Sequence, residues 1–334
     1  MKAQNKFLNK VAKKLMIGSF IALGSQQLAA EPAYPTNTIK ILAGIAPGGT
    51  VDAIARLYAK NLSEQLKVPV VVENKPGAFQ IPAIRTLLDA KPDGYTLFLT
   101  NGSAVALAPA FQKDLPYDPL KDFTYIAPIA TTPAVFLTLN DIPVNTLSEL
   151  ISYSKENPGK LNYGSAGTGA ANNLKIEYIK KITGLNATHI PYKSDAEVLR
   201  ELVAGRVQFS MTTLQSAMPM ISAGRVKPLG VSAPEPVAML PNVPGTLQIG
   251  ITDLDKTEPY SFYGFVGPAG MPEPIVLKLN TAINKVTLMP EVRRMMTDSY
   301  FIAPKEGSAT QFREFTTTEL EKAKDLAKML GTIN

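Results

Sequence analysis

The sequence predicts an α/β protein of two lobes, each a mostly parallel sheet flanked by helices, with a crevice between them. Short apolar strand candidates alternate with amphipathic helix candidates in two successive series, the pattern of parallel sheets covered by helices. Each series carries one glycine-rich loop where a strand meets a helix. With 334 residues, 45% hydrophobic and 19% charged, the chain is long enough and apolar enough for two cores.

The first series opens with a strand at Ile39–Leu42 and the loop Gly44–Thr50. Val51, Ile54, Leu57, Tyr58 and Leu62 then recur at helical spacing. Pro69–Val72 is short and β-branched, hence a strand, and NKPG closes it as a turn. A helix over Ile81–Asp89, a DG turn and a strand over Tyr95–Thr100 complete this β-α-β-α-β run. LPYDPLKDF (115–123) reads as loop. TYIAPIA (124–130) and AVFLTLN (134–140) read as strand passing from one lobe to the other.

The second series predicts helices at Thr146–Glu156, Ala171–Thr183, Asp195–Ala204 and Gln215–Ala223. Its strands are Leu161–Gly164, Ala187–Ile190, Val207–Met211 and Pro228–Ser232. The proline-rich APEPVAMLPNVPG (233–245) punctuates rather than folds regularly. SFYGFVGP (261–268) is a strand returning to the first lobe, followed by helices over 272–288, 290–299 and 308–330. The expected division is residues 31–130 plus 260–334 for lobe 1 and 131–259 for lobe 2, with the crossing strands as hinge.

Residues 1–30 have a separate reading. Lys2, Lys6, Lys10, Lys13 and Lys14 precede the apolar run Leu15–Leu23, which is too short to span a bilayer, and then Ala29 and Ala30. That order is a secretory signal with cleavage after Ala30. Removing those five lysines from a net charge of +6 leaves about +1, so no basic surface remains for nucleic acid. Cysteine is absent, which excludes disulfides, thiol catalysis, cysteine zinc sites and a lipid-modified cysteine. An exported, unanchored periplasmic protein is expected.

The two loops carry the chemistry. The first offers Ile45, Ala46, Pro47, Gly48, Gly49 and Thr50, and the second Ser165, Ala166, Gly167, Thr168 and Gly169. Glycines bring backbone N–H groups close to a ligand, and the following helix adds free N–H groups and the positive end of its dipole. Such a place holds an anion without lysine or arginine. Two of them at carboxyl ends of strands suit a small carboxylate in the crevice. A tight turn alone would also explain the glycines of either loop.

Nucleotide and catalytic readings fit poorly. G-x-x-x-x-G-K-[ST] does not occur, and Asn172 stands where a dinucleotide fingerprint needs its third glycine. His189 is the one histidine, and no G-x-S-x-G elbow exists to pair with it, so it reads as structural. No acidic cluster has metal-ligand spacing. Asp52, in the first turn after the first loop, reads as an organiser of that loop rather than a base.

These residues support a comparison. YPTNTIKILAGIAPGGTVDAIAR, VVENKPGA, KPDGYTL, LPYDPLKDF, LNYGSAGTG, HIPYKS, SAMPMISAGRVKPLGVS and FVGPAGMPEPIVLKLN, in that order, resemble the Bug-type solute receptors of tripartite tricarboxylate transport systems. The resemblance spans the mature chain. It implies the two-lobed "Venus flytrap" fold of periplasmic binding proteins, a carboxylate gripped by both glycine loops, and no cofactor. It adds Asn101 and Ser103 at the cleft, and Thr212 where many relatives carry an aspartate. Thr168, Ala170, Ala171 and Asn173 depart from the relatives' usual second loop.

Without that aspartate the reading leans away from amino acids and toward a mono- or dicarboxylate with an apolar or aromatic body, against which Phe262 or Tyr263 could pack. The resemblance implies delivery to transporter subunits by a monomer, with no enzyme activity. A receptor signalling to a sensor kinase is the alternative; a periplasmic hydrolase is disfavoured because no nucleophile–base set is present.

Overall fold

The computed structural model describes residues 34–48, 50–254 and 260–331, and for Thr50, Ala78 and Tyr260 the backbone alone. The expected signal segment, Gly49 and residues 255–259 lie outside these. The fold described below is that of the unit beginning at Asn37.

The first lobe opens with β1 (Ile39–Ala43), α1 (Thr50–Leu66), β2 (Val70–Asn74), α2 (Ile81–Leu88) and β3 (Thr96–Asn101). β1 lies between β2 and β3, parallel to both. Ser103–Leu107 then forms a π-helical turn that runs into α3 (Ala108–Phe111), a helical stretch that periodicity did not predict. Pro109 sits in the first turn of α3, where its missing N–H costs nothing.

The two predicted crossing segments are one strand, β4 (Phe123–Thr138), of 16 residues. Up to Pro133 it pairs antiparallel with β9; from Ala134 onward it pairs with β7 on one side and β8 on the other. Its register against β9 slips around Pro128, whose ring removes a ladder donor. Past the partner switch, Val135 and Leu137 enter one core and Phe136 the other, the two-residue alternation of a strand covered on both faces.

The second lobe follows with α4 (Leu147–Glu156), β5 (Asn162–Ser165), α5 (Ala171–Thr183), β6 (Thr188–Pro191), α6 (Asp195–Val203), β7 (Phe209–Thr213), α7 (Leu214–Ser222) and β8 (Lys227–Val231). β5 is parallel to β6 and β7. The chain returns in β9 (Tyr260–Pro268), antiparallel to β3 and β4, and ends in α8 (Glu273–Leu288), α9 (Pro290–Asp298) and α10 (Ala309–Leu330). The strand order β2-β1-β3-β9-β4-β7-β5-β6 joins the lobes through β9 and β4. Caps mark the helix ends: Thr146 and Ser194 accept N–H bonds from Glu149 and Glu197, and Ser308 and Gln311 form a reciprocal capping box.

Leu42, Ile84, Leu87, Phe98, Phe262 and Phe312 build the first lobe's core. In the second lobe, Leu147, Leu161, Tyr163, Ile176 and Phe209 fill one face of the sheet, and Leu202, Val207, Leu214 and Val231 fill the other. A further apolar cluster joins the lobes: Leu174 and Tyr178 of α5 pack with Leu107 and with Leu320 and Leu326 of α10. That contact brings α5, with the second glycine loop at its head, against the first lobe.

Candidate functional site

The first loop leaves the carboxyl end of β1, and Asn101 and Ser103 leave the neighbouring end of β3. Gly44 is covered by Gln80: a Cβ at Gly44 would lie 2.4 Å from that of Gln80, so only glycine fits. Phe79 and Gln80 both adopt left-handed backbone angles (φ 49 and 62°), and the buried Gln80 Oε1 has no partner among the described residues.

Asp52 does organise this loop. Its Oδ2 accepts the Gly48 N–H at 3.0 Å and Arg56 Nε at 2.9 Å, and its Oδ1 accepts Asn74 Nδ2 at 2.8 Å. Asn74 Nδ2 also reaches Ile45 O at 3.2 Å. Burial favours the neutral acid, but these donors and the Arg56 charge outweigh it and hold the Asp52 carboxyl below its ordinary range. Ala46, Pro47 and Gly48 are exposed. Asn101 Oδ1 accepts the Ala104 N–H at 3.2 Å, capping the π-helical turn.

The second loop is knitted by asparagines of α5. Asn172 Oδ1 accepts the Ala166 N–H (3.3 Å), while its Nδ2 donates to Asp195 Oδ1 and Met211 O, both at 3.1 Å. Asn173 Oδ1 accepts the Gly169 N–H at 2.9 Å and its Nδ2 donates to Tyr163 Oη at 2.8 Å. Gly167 (φ 116°) and Gly169 (φ 81°) occupy backbone angles that side chains resist. Buried Ser165 lies 2.6 Å from His189 Nε2, and the imidazole stacks on Tyr163 with 4.8 Å between centroids. Burial lowers the proton affinity of His189, favouring the neutral ring. The lone histidine thus supports the loop from below, as its position in an apolar strand suggested.

Several amides that the sequence offered to an anion are therefore occupied from within: Gly48 by Asp52, Ala166 by Asn172 and Gly169 by Asn173. The loops are prebuilt, and among the described residues the cavity at the lobe junction is lined by the second loop and not by the first.

A cavity of about 180 Å³ lies where the lobes join. The first lobe lends Leu107, Ser261 and Leu326. The second lends Ala166, Ala170, Ala171, Asn172, Lys175, Asp195, Met211, Thr212, Thr213 and Ser232, with Ala134 just past the partner switch in β4. Of the sequence-predicted site residues among those described, only Ala166 and Thr212 line it; Ser165, Gly167, Thr168 and Gly169 belong to the same loop and are not among its lining residues. Residues 45–48, Asn101 and Ser103 are not among its lining residues; they sit at or just beyond the carboxyl ends of β1 and β3. Neither Phe262 nor Tyr263 reaches the cavity: Phe262 packs on Phe312 and Phe315, and Tyr263 on Phe301.

Lys175 and Asp195 were missed by the sequence reading. Lys175 is only 4% exposed and lies one turn beyond Asn172 on the same face of α5. A lysine three residues after a loop-capping asparagine is the signal that could have pointed to it. Asp195 opens α6, a place where an acid is ordinarily read as a favourable charge at a helix start. Burial raises its carboxyl above the ordinary range, against the opposing pull of the Thr213 N–H and Asn172.

A family model described as "Tripartite tricarboxylate transporter family receptor" matches residues 54–332. The chain belongs to this family. The family consists of periplasmic solute-binding receptors rather than enzymes, in agreement with the expected class. The receptor is 35% identical over 315 residues to a UPF0065 protein of Bordetella pertussis, covering 94% of this chain and 96% of that one. It superposes with a TM-score of 0.74 and 28% identity on Rpa4515 of R. palustris with adipate, covering 89% and 98% of the two chains. MatC from Rhodopseudomonas palustris with bound malate gives 0.72 and 28% over 88% and 99%. These likenesses establish the receptor's two-lobed α/β fold.

Proposed function

We propose that this receptor captures a small mono- or dicarboxylate at the lobe junction in the periplasm, as a monomer, and delivers it to tripartite-type membrane transporter subunits. The observation that carries the reading is a cavity walled by both lobes and lined by a buried lysine in a chain of this family. Relatives of the same fold hold adipate and malate, both small dicarboxylates. Under this reading residues 31–130 with 260–334 form one lobe and 131–259 the other. The partner switch in β4 at Pro133 and Ala134 supports β4 and β9 as the hinge.

Ligand contacts with both lobes favour the closed arrangement, because a solute held by one lobe alone shifts that equilibrium little. Ala166 of the second loop and Thr212 lie on one side of the site, with Ser165, Gly167, Thr168 and Gly169 shaping the loop behind Ala166; Leu107 and Ser261 close the other. The first loop, from Ile45 to Thr50, with Asn101 and Ser103, forms the rim that a bound carboxylate reaches on closure.

A thermal-shift screen of the purified protein against aliphatic, aromatic and amino carboxylates tests capture. Ligand at a hundredfold excess over Kd should add about 2.7 kcal/mol of stability, seen as a raised Tm. No shift with any carboxylate, in protein unfolded and refolded to strip bound solute, overturns the reading. Delivery is tested by solute uptake in cells with and without the chain; equal uptake refutes it.

A further inference from the structure

His189 is the only histidine in the chain, and it lies beneath the loop that lends Ala166 to the cavity. Three groups meet the fully buried Ser165 hydroxyl there. His189 Nε2 is 2.6 Å away, Gly167 O is 3.0 Å away, and the Gly167 N–H reaches the same oxygen at 3.3 Å. A hydroxyl has one proton and two lone pairs. The Gly167 N–H can only donate to it and Gly167 O can only accept from it, so the Ser165 proton goes to that carbonyl. Gly167 O also takes the Ala170 N–H at 3.2 Å, and its two lone pairs serve both. The second lone pair of Ser165 then accepts a proton from His189 Nε2. Were Ser165 to donate to a bare Nε2 instead, its oxygen would face Gly167 O with no proton between them, a costly contact in a buried place.

A second string holds the other left-handed glycine. Gly169 donates its N–H to Asn173 Oδ1, Asn173 Nδ2 donates to Tyr163 Oη, and Tyr163 Oη donates to Glu177. Tyr163 and His189 are register partners in β5 and β6, and their rings stack. Both strings therefore end at one ring pair, with Gly167 and Gly169 at their other ends. The groups facing the imidazole are Tyr163 and Ser165 from β5 and the charges of Glu177 and Lys180 from α5. Those two charges form an ion pair at 2.8 Å and act on the ring in opposite directions.

We infer that His189 is a positioning residue for the solute: as the Nε2–H donor to Ser165 it fixes the turn that brings Ala166 to the cavity wall, in both of its protonation states. Acid adds its proton at Nδ1 and leaves the nitrogen facing Ser165 unchanged. The other tautomer would make the loop sensitive to pH, because protonating Nε2 would turn the Ser165 hydroxyl round. This rests on the reading of the cavity as the solute site, and adds the group that holds one of its walls in place.

Nitrogen NMR of the full chain, labelled at histidine and prepared without a histidine tag, reads this one imidazole. The expected spectrum has the proton on Nε2 at neutral pH and keeps it there in acid, with Nδ1 alone titrating. A proton on Nδ1 at neutral pH overturns the donor assignment. Positioning is tested by His189→Leu, which keeps bulk and removes the donor. Amide exchange across 166–170 should rise about tenfold, the span of one lost hydrogen bond, with the second lobe's core unchanged. His189→Gln keeps an amide donor and should recover much of the lost protection. Loop exchange that stays as it was, or that rises equally through the core, overturns the positioning role. Ser165→Ala reads the same turn with a smaller change, should His189→Leu fail to fold by circular dichroism.

Malate and adipate are the probes of the solute site. Whichever binds the unmutated protein should bind His189→Leu about tenfold more weakly, and His189→Gln should restore most of the loss. Equal affinity in His189→Leu overturns the inference and leaves the carboxylate reading standing. Binding of neither probe bears on the carboxylate reading alone, since the spectrum and the exchange still decide what holds the loop.

Discussion

The two glycine loops look alike in sequence and are used differently by the fold. The loop after β1 is exposed and tied to its own helix by one acid, Asp52, with Asn74 and Arg56 behind it. The loop after β5 is tied to three elements at once, because Asn172 reaches back to Ala166, across to Asp195 and down to Met211. The first arrangement orders an exposed loop, whereas the second makes loop, α6 and β7 one wall of a cavity. Two glycine loops of like sequence before a helix thus differ in what the side chains behind them do: one set keeps its loop at the surface, the other joins its loop to a cavity wall.

The largest break in this comparison is Asn172→Ala. It strips partners from the Ala166 N–H, Met211 O and Asp195 in a nearly buried setting, where unmet polar groups cost about 1–3 kcal/mol each. A loss of about 3 kcal/mol in urea unfolding is expected, with faster hydrogen exchange across 165–170 and none across 44–48. Exchange that rises equally in both loops would mean they are not held independently.

Gly167→Val forces a β-branched side chain to a φ of 116° and should cost about 1–3 kcal/mol by the same measurement. The nearest atom to an added Cβ, Tyr192 O at 3.7 Å, is an ordinary contact, so the cost comes from backbone strain rather than crowding. Gly169→Val should behave alike, since nothing lies within 4 Å of its added Cβ.

Asp52→Asn is the matching change for the first loop. Its bond to half-exposed Arg56 is screened, so the loss comes from the Gly48 and Asn74 bonds and should be about 1 kcal/mol. Because the folded carboxyl sits below its unfolded value near 3.9, the contribution is present above about pH 4 and lost as pH falls through the folded value. The stability difference between the two proteins should shrink in acid over that window. A constant difference would show that the charge is not what orders the loop.

Asp195 should show the opposite sign. Its folded carboxyl is raised, so its contribution is fully present below about pH 4 and is lost as pH rises through the folded value. Relative to Asp195→Asn, the unliganded protein should lose stability between acid and neutral pH, in thermal melts at matched ionic strength. The smallest effect belongs to His189, whose depressed proton affinity confers stability above about pH 6.5 that is lost in acid; His189→Gln should flatten that slope.

Much of this molecule was legible in the chain. Periodicity predicts nearly every helix and strand, because a face that must be buried repeats every 3.6 or 2 residues wherever it packs. The left-handed glycines of the second loop and the ordering role of Asp52 were legible for a similar reason: both act over a few residues. What periodicity could not show was local helix on apolar sequence without a stripe, as in Ser103–Phe111, or left-handed angles on Phe79 and Gln80, where only tertiary packing holds them.

The cavity lay beyond the sequence for a different physical reason. Its charges come from Lys175 on α5 and Asp195 on α6, residues that in one dimension look like a helix-face lysine and a helix-start acid. Each is driven into the wall by distant contacts: the packing of Leu174 and Tyr178 against α10, and the bonds of Asn172 and the Thr213 backbone to Asp195. The sequence by itself determined the two lobes, the glycine loops and the family. Which groups line the cavity was decided only when the sheet brought α5, α6 and β7 to one point, since burial and charge proximity depend on distance in space rather than along the chain.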